Sequence, residues 1–275
     1  MQDALASSAS FAANRARGAV AFDVHLVEGS TRRRQLHESG SLRVRFPSPE
    51  DDGLTAMFVN TAGGAAGGDR FDIDITAGEG TRLTMSTAAA EKVYRSHGPA
   101  AEINISLRAE AGAHLSWLPQ ETILFDQART TRSIDIDLAD SASLVLCEIV
   151  VFGRTAMGEM MRTGSFIDRW RLRRGGRLVF AENVRLDGDI GAKLAAPAIA
   201  NGGLAIATAL IVPGDEALLE RLRTVAEQAG TEVGVSCWNG FAMVRICAQD
   251  AAKLRADMMA LLSQSGAMLP RMWLN

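Results

Sequence analysis

The chain has 275 residues, 47% of them hydrophobic, which is enough to bury a substantial core and excludes disorder as an explanation of it. Lys and Arg number 29 against 32 Asp and Glu, for a net charge of -3, so no broad basic field exists to attract nucleic acid or an anionic membrane. The three cysteines, Cys147, Cys237 and Cys247, form no Cys-x-x-Cys pair, which argues against a disulfide framework and a structural zinc site and for a reducing cytoplasm.

Met1 to Asn14 is rich in Ala and Ser but lacks a basic start followed by an apolar block, so residues 1–14 are expected to be a flexible tail rather than a cleaved signal. Residues 15–194 then read as a β-rich body. Alternation with a period of two runs through Phe71 to Ile75, Arg82 to Ser86, Ile103 to Leu107 and Ile134 to Leu138. Leu144 to Phe152 is more uniformly apolar and is expected to be buried on both faces, apart from Glu148, which needs a partner there. The nearest cation in sequence is Arg154. Turn signals such as Ala77 to Gly80 and Arg174 to Arg177 punctuate the strands. This rhythm predicts a mainly β fold, either an irregular solenoid-like stack of many short strands or a large sandwich.

Before the first clear alternation stand two glycine pairs, in Asn60 to Arg70, ending in Asp69 and Arg70. A phosphate loop would need a helix after the glycines, whereas a strand follows, so the nucleotide reading fails. The glycines instead mark backbone that bends sharply or approaches something closely. At Trp117 to Asp126, Pro119 breaks a strand and is expected to display Gln120 and Glu121 at a bend with aromatic flanks, as in a contact surface. Arg154 and Glu159, bracketed by glycines, form an opposed pair that neutralises itself or lines a polar passage.

Residues 195–203 form a small-residue linker, after which residues 204–275 read as an α+β portion packed on the body. Leu204 to Val212 is a strand. Asp215 caps a helix that stops by Gly230, Asn239-Gly240 joins a hairpin, a second helix runs from about Gln249 to Gln264, and Met268 to Leu274 offers a last strand.

Catalytic signatures are absent. His25, His37, His97 and His114 lack metal-ligand spacing, no Gly-x-Ser-x-Gly elbow occurs, and the carboxylates Asp69, Glu121, Asp126, Glu148, Glu159 and Asp168 suit a solvated strand face as well as acid/base work. A carbohydrate-active solenoid enzyme would also need aromatics to stack sugars, and these are only 5% of the chain. A generic protein-binding β module is the other alternative.

Asn60 to Arg70, Ala90 to Ser96, Trp117 to Asp126, Phe152 to Glu159, Asp168 to Arg171, Gly176 to Phe180 and Leu269 to Trp273, in that order, resemble the urease accessory proteins called UreD, or UreH in some organisms. The chain departs from that pattern at Ala65 and Ala66, where a large apolar residue and Thr are usual, and at Ala88, where Gln is usual; partner affinity is what these changes touch. The resemblance implies a non-catalytic scaffold with a mostly β, solenoid-like fold and two helices. Its implied partners are the urease apoprotein, a second accessory protein of the UreF type and, through it, a nickel-carrying GTPase of the UreG type. Matching polar positions, Asp69, Arg70, Lys92, Glu148, Arg154, Glu159 and Asp168, become candidates for partner contact or for an internal route of transient Ni(II), joined by Gln120 and Glu121 from the bend. No tightly bound cofactor is expected.

Overall fold

The computed structural model describes residues 15–48 and 52–274; the tail expected over residues 1–14 lies outside them. Two sheets face each other. The first carries β1 (Arg17–Val27), β2 (Ser30–Gly40), β5 (Arg70–Ala77), β8 (Ala101–Ala109), β11 (Arg129–Leu138), β13 (Thr163–Arg174) and β14 (Arg177–Asp189) in the order β14-β13-β11-β8-β5-β1-β2. The second runs β16-β17-β15-β12-β9-β6-β4-β3, built from β3 (Leu42–Arg45), β4 (Leu54–Asn60), β6 (Arg82–Thr87), β9 (His114–Trp117), β12 (Ser143–Phe152), β15 (Ala205–Val212), β16 (Glu232–Trp238) and β17 (Phe241–Ala248). Two three-residue strands, β7 (Glu91–Val93) and β10 (Thr122–Leu124), lie beside the end of β12.

From β4 to β13 the chain alternates between the sheets, and successive visits pair in parallel: β5 with β8, β8 with β11 and β11 with β13 in one sheet, β4 with β6, β6 with β9 and β9 with β12 in the other. That coil is the solenoid-like stack the short alternating runs predict. Side chains alternate across the stacked strands, so Ile134, Ile136 and Leu138 of β11 join Leu144, Leu146 and Phe152 of β12 in one core between the sheets.

A second apolar cluster covers the outer face of the second sheet. Helices α2 (Glu216–Ala226) and α3 (Ala251–Ser263) lay Leu218, Leu222, Leu254, Met258 and Leu261 on Cys147, Ile149 and Val151 of β12 and on Val244 of β17. Asp215 caps α2 by accepting from the Leu218 amide at 2.7 Å, and Asp250 caps α3 through Ala252. A third helix, α1 (Ile190–Ala195), is present beyond the two expected; it runs up to the small-residue stretch and is capped by Asp189. Met268 to Leu274 is not a strand. Its end is a 3-10 turn, Arg271–Trp273, in which the Trp273 and Leu274 amides donate to Pro270 O and Arg271 O, while Arg255 Nη2 and Gln120 Nε2 both donate to Met272 O, at 2.8 and 3.1 Å.

Candidate functional site

The second sheet is interrupted near its middle. Strand β12 pairs with β9 over Ser143 to Leu146 and with β10 over Val150 to Phe152, leaving its centre without a neighbour on that side. Between β9 and β10 the chain passes through Leu118 to Glu121, where Pro119 has no N–H to offer a ladder, and the segment from β6 to β7 departs likewise over Ala88 to Ala90. A cavity of ≈ 410 Å³ opens at this break, walled by Phe58, Ile73, Ile105 and Trp117 and carrying Asn60, Glu91, Lys92 and Gln120 among its polar lining. Ala88, where the resemblance leads one to expect Gln, lies exposed on that lining.

At the inner end of the cavity stand Arg132 and Glu148. Arg132 occupies the inward register of β11, directly across from Asp168 on β13, and its Nε and Nη2 hold the two Asp168 oxygens at 2.9 and 2.6 Å. Its Nη1 donates to Glu148 Oε2 from the opposite sheet, while Trp117 Nε1 donates to Glu148 Oε1 at 2.7 Å. All three charged groups are buried, with Arg132 exposed by only 4%. Burial pushes the Glu148 carboxyl up, partly offset by the Arg132 charge. Burial also works against the Arg132 cation, but Asp168 and Glu148 together outweigh it and hold it charged. Two carboxylates share one guanidinium here, so any change of occupancy at this point is felt by all three.

Beyond the triad a cleft of ≈ 20 Å³ touches Arg132, Glu148 and Asp168 on one side and Glu182 on the other. Glu182 belongs to the edge strand β14 and accepts from the exposed Arg245 on β17. The triad is therefore the partition between a wide cavity and a narrow cleft bounded by Glu182 of the edge strand β14.

At the cavity mouth, Asn60 Nδ2 donates to Glu91 Oε1 at 3.2 Å and to Gly64 O at 3.1 Å. Burial pushes the Glu91 carboxyl up to about 7, Asn60 pulling it back and the charge of Asp69 adding to the rise. Asp69 is buried and ties down the glycine turn, accepting from the amides of Ala16 at 2.8 Å and Ala66 at 2.7 Å. The glycines there are required by close approach. A Cβ on Gly67 would stand 1.9 Å from Ser96 Oγ, and one on Gly64 would stand 2.5 Å from the Tyr94 ring.

The other sequence-predicted residues are dispersed. Arg70 is exposed and pairs with Asp72 and Glu102 on the outside of the first sheet. The bend at Pro119 exists, but its polar tip turns inward: Gln120 is buried, and Arg255 Nη1 donates to Gln120 Oε1 at 3.0 Å and to Glu121 Oε1 at 2.6 Å. Trp117 is equally buried, so that bend is a brace for the C-terminal turn and not a displayed surface. Arg154 is not the partner of Glu148. It bonds Glu159 at 2.6 Å on the surface, and Arg132 from the facing sheet takes the inner role because it shares the inward register. Sequence reasoning missed Arg132, Glu91 and Arg255; for Arg132 the signal was there, an arginine in the apolar register of Thr130, Ile134, Ile136 and Leu138. No group of three or more His, Cys, Asp or Glu among the described residues is placed to hold a metal ion, and no described helix is long and apolar enough to cross a membrane.

A profile of the UreD urease accessory protein family matches residues 15–274. The chain belongs to that family. Among its relatives, the urease accessory protein UreD of Bradyrhizobium diazoefficiens is 72% identical over 269 residues, covering 98% of each chain. The UreD of Rhodopseudomonas palustris strain BisA53 is 72% identical over 271 residues, 98% of this chain and 95% of its own. UreD 3 of Bradyrhizobium sp. strain BTAi1 is 73% identical over 266 residues, 96% of each. The interrupted sheet, the cavity and the buried triad thus belong to a UreD family member.

Proposed function

We propose that the chain is a non-catalytic scaffold for urease maturation, which holds the urease apoprotein together with a second accessory protein and, through it, a nickel-carrying GTPase. In this reading Ni(II) is cargo, and the interior of the sandwich is its route. The single observation that carries the route is the triad: charged groups are costly in an apolar core, and here they stand where the wide cavity meets the narrow cleft.

The steps follow from the charges. A hydrated cation entering past Lys92 and Glu91 meets Glu148, then Asp168, then Glu182, all carboxylates, which bind a divalent ion through oxygen and release it more readily than an imidazole or thiolate cage would. While no cargo passes, Arg132 sets one positive charge against Glu148 and Asp168, and Arg245 sets one against Glu182. A divalent ion beside Arg132 is repelled by the guanidinium and competes for its carboxylates, so passage exchanges one counter-ion for another.

The test is Glu148→Gln, which keeps size and leaves Arg132 paired with Asp168. Urease matured with this variant, at normal amounts of the assembled complex and an unchanged melting temperature of the variant chain, is expected to carry several-fold less nickel by elemental analysis. Wild-type nickel content would reject the route while leaving the scaffold role intact; loss of urease from the purified complex on Glu148→Gln would reassign the residue to assembly.

A further inference from the structure

A second feature of the molecule lies on its surface, away from the triad, at the end of the sandwich where β10 and β12 finish. Gly153 follows β12 and its amide donates to Leu124 O at 2.8 Å, which seats the loop Arg154 to Met160 beside Phe125. Arg154, clamped by Glu159, lies with its guanidinium 4.4 Å from the Phe125 ring centroid, and Tyr94 meets the same ring edge-on at 5.2 Å. These side chains and Arg95 wall a surface cleft of ≈ 280 Å³. Beside it Met157 is 74% exposed and Met160 51%, the former the most exposed of the large apolar side chains described.

Charge frames this apolar centre. Arg95 pairs with Ala128 in an isolated bridge, Arg129 follows Ala128 in sequence, and the Arg162 amide is held by Asp126 Oδ1 at 2.8 Å, so the backbones of all three arginines flank the turn after Phe125, with the Arg95 side chain in the wall of the cleft. All three are exposed, and none makes an ion pair among the described residues, while the carboxylates nearby are engaged, Asp126 with backbone amides and Glu159 with Arg154. A chain of net charge -3 therefore gathers unpaired cations around exposed methionines and a pre-arranged Tyr, Phe and Arg stack. Tyr, Phe, Met and Arg are the residue types enriched at protein interfaces, and methionine adapts its shape to a partner.

We propose that this end is a docking face for a protein partner that presents an apolar side chain flanked by carboxylates. The apolar side chain enters the cleft against Phe125 and the methionines, and the carboxylates take Arg95, Arg129 and Arg162. A second copy of this chain is a poor occupant, because face-to-face contact sets arginine against arginine. Phosphate-bearing partners meet Asp126 and Glu159 in the middle of the patch. The proposal rests on the scaffold reading and is independent of the interior route, since nickel content tests the route and contact mapping tests the face.

The experiment places the photo-crosslinker p-benzoylphenylalanine at Met157 in the full chain, co-expressed with urease subunits and the urease accessory proteins, and maps the captured peptide by mass spectrometry. Expected is a single segment of one of these proteins in which Asp or Glu flank an apolar residue. Capture of a second copy of this chain, of a neutral or basic segment, of lipid, or of nothing overturns the proposal. In parallel, M157E/M160E and R95E/R162E are expected to weaken binding of that purified partner at least tenfold, with affinity of the wild type falling as salt rises. M268E, an exposed methionine elsewhere (57%), is the control and leaves it unchanged. Wild-type affinity in both double variants also overturns the proposal.

Discussion

Strand β12 has two faces that live in different interiors. Outward, Val145, Cys147, Ile149 and Val151 pack on α2 and α3 with no charge among them. Inward, Leu144, Leu146, Val150 and Phe152 share their row with Glu148, and the core on that side is pierced by a cavity and a charged triad. In the proposed route, stability rests on the outer face and passage on the inner one. The helix-covered face has the continuous apolar packing that anchors a fold, while the face between the sheets gives up packing to keep three charges and an opening at the sheet break.

The largest effect expected from disturbing this contrast is on the inner side. Arg132→Met strands Glu148 and Asp168 as buried carboxylates and is expected to cost about 3–5 kcal/mol in urea unfolding. Adding Glu148→Gln and Asp168→Asn to it is expected to recover most of that loss; a triple variant as unstable as the single one would show that shape, not charge, makes the triad necessary. On the outer side, Leu254→Ala removes a fully buried side chain from α3 and is expected to cost about 3 kcal/mol. Its effect on nickel delivery should follow only the amount of folded protein, and a larger deficit would mean that the two faces are coupled.

The smallest of the three concerns pH. The folded Glu91 carboxyl titrates at about 7 against an ordinary value of 4.5, so between those values the folded state holds a proton that the unfolded state has lost. The stability it contributes is therefore full below 4.5 and is lost as pH rises through about 7. Glu91→Gln is expected to flatten this slope by about 2 kcal/mol, taking ~1.4 kcal/mol per pKa unit and allowing for partial solvent screening. An unchanged pH profile of melting would place Glu91 in an ordinary solvated setting.

Much of the β body was legible because side-chain alternation is local: Phe71 to Ile75 and Ile134 to Leu138 state their own strand and their own inward face. Asp215 and Asn239-Gly240 are likewise local devices, and the helix and hairpin they announce are present. Met268 to Leu274 misleads because its apolar residues find side-chain donors and Leu118, not a neighbouring strand. The partner of Glu148 was misjudged for a related reason. Arg154 is near in sequence, but strand register and the facing of two sheets bring Arg132 to it from the other layer.

Composition and period, read along the chain, were sufficient for a mainly β stack with capped helices near its end, since hydrophobic alternation and turn chemistry act over a few residues. They were also sufficient to mark Glu148 as a charge in want of a partner. Which charge answers it, where the second sheet breaks open, and which arginines gather around Phe125 depend on contacts between residues tens of positions apart. Those contacts exist only after the coil closes, because the energy of a buried charge is set by whatever the opposite layer places beside it.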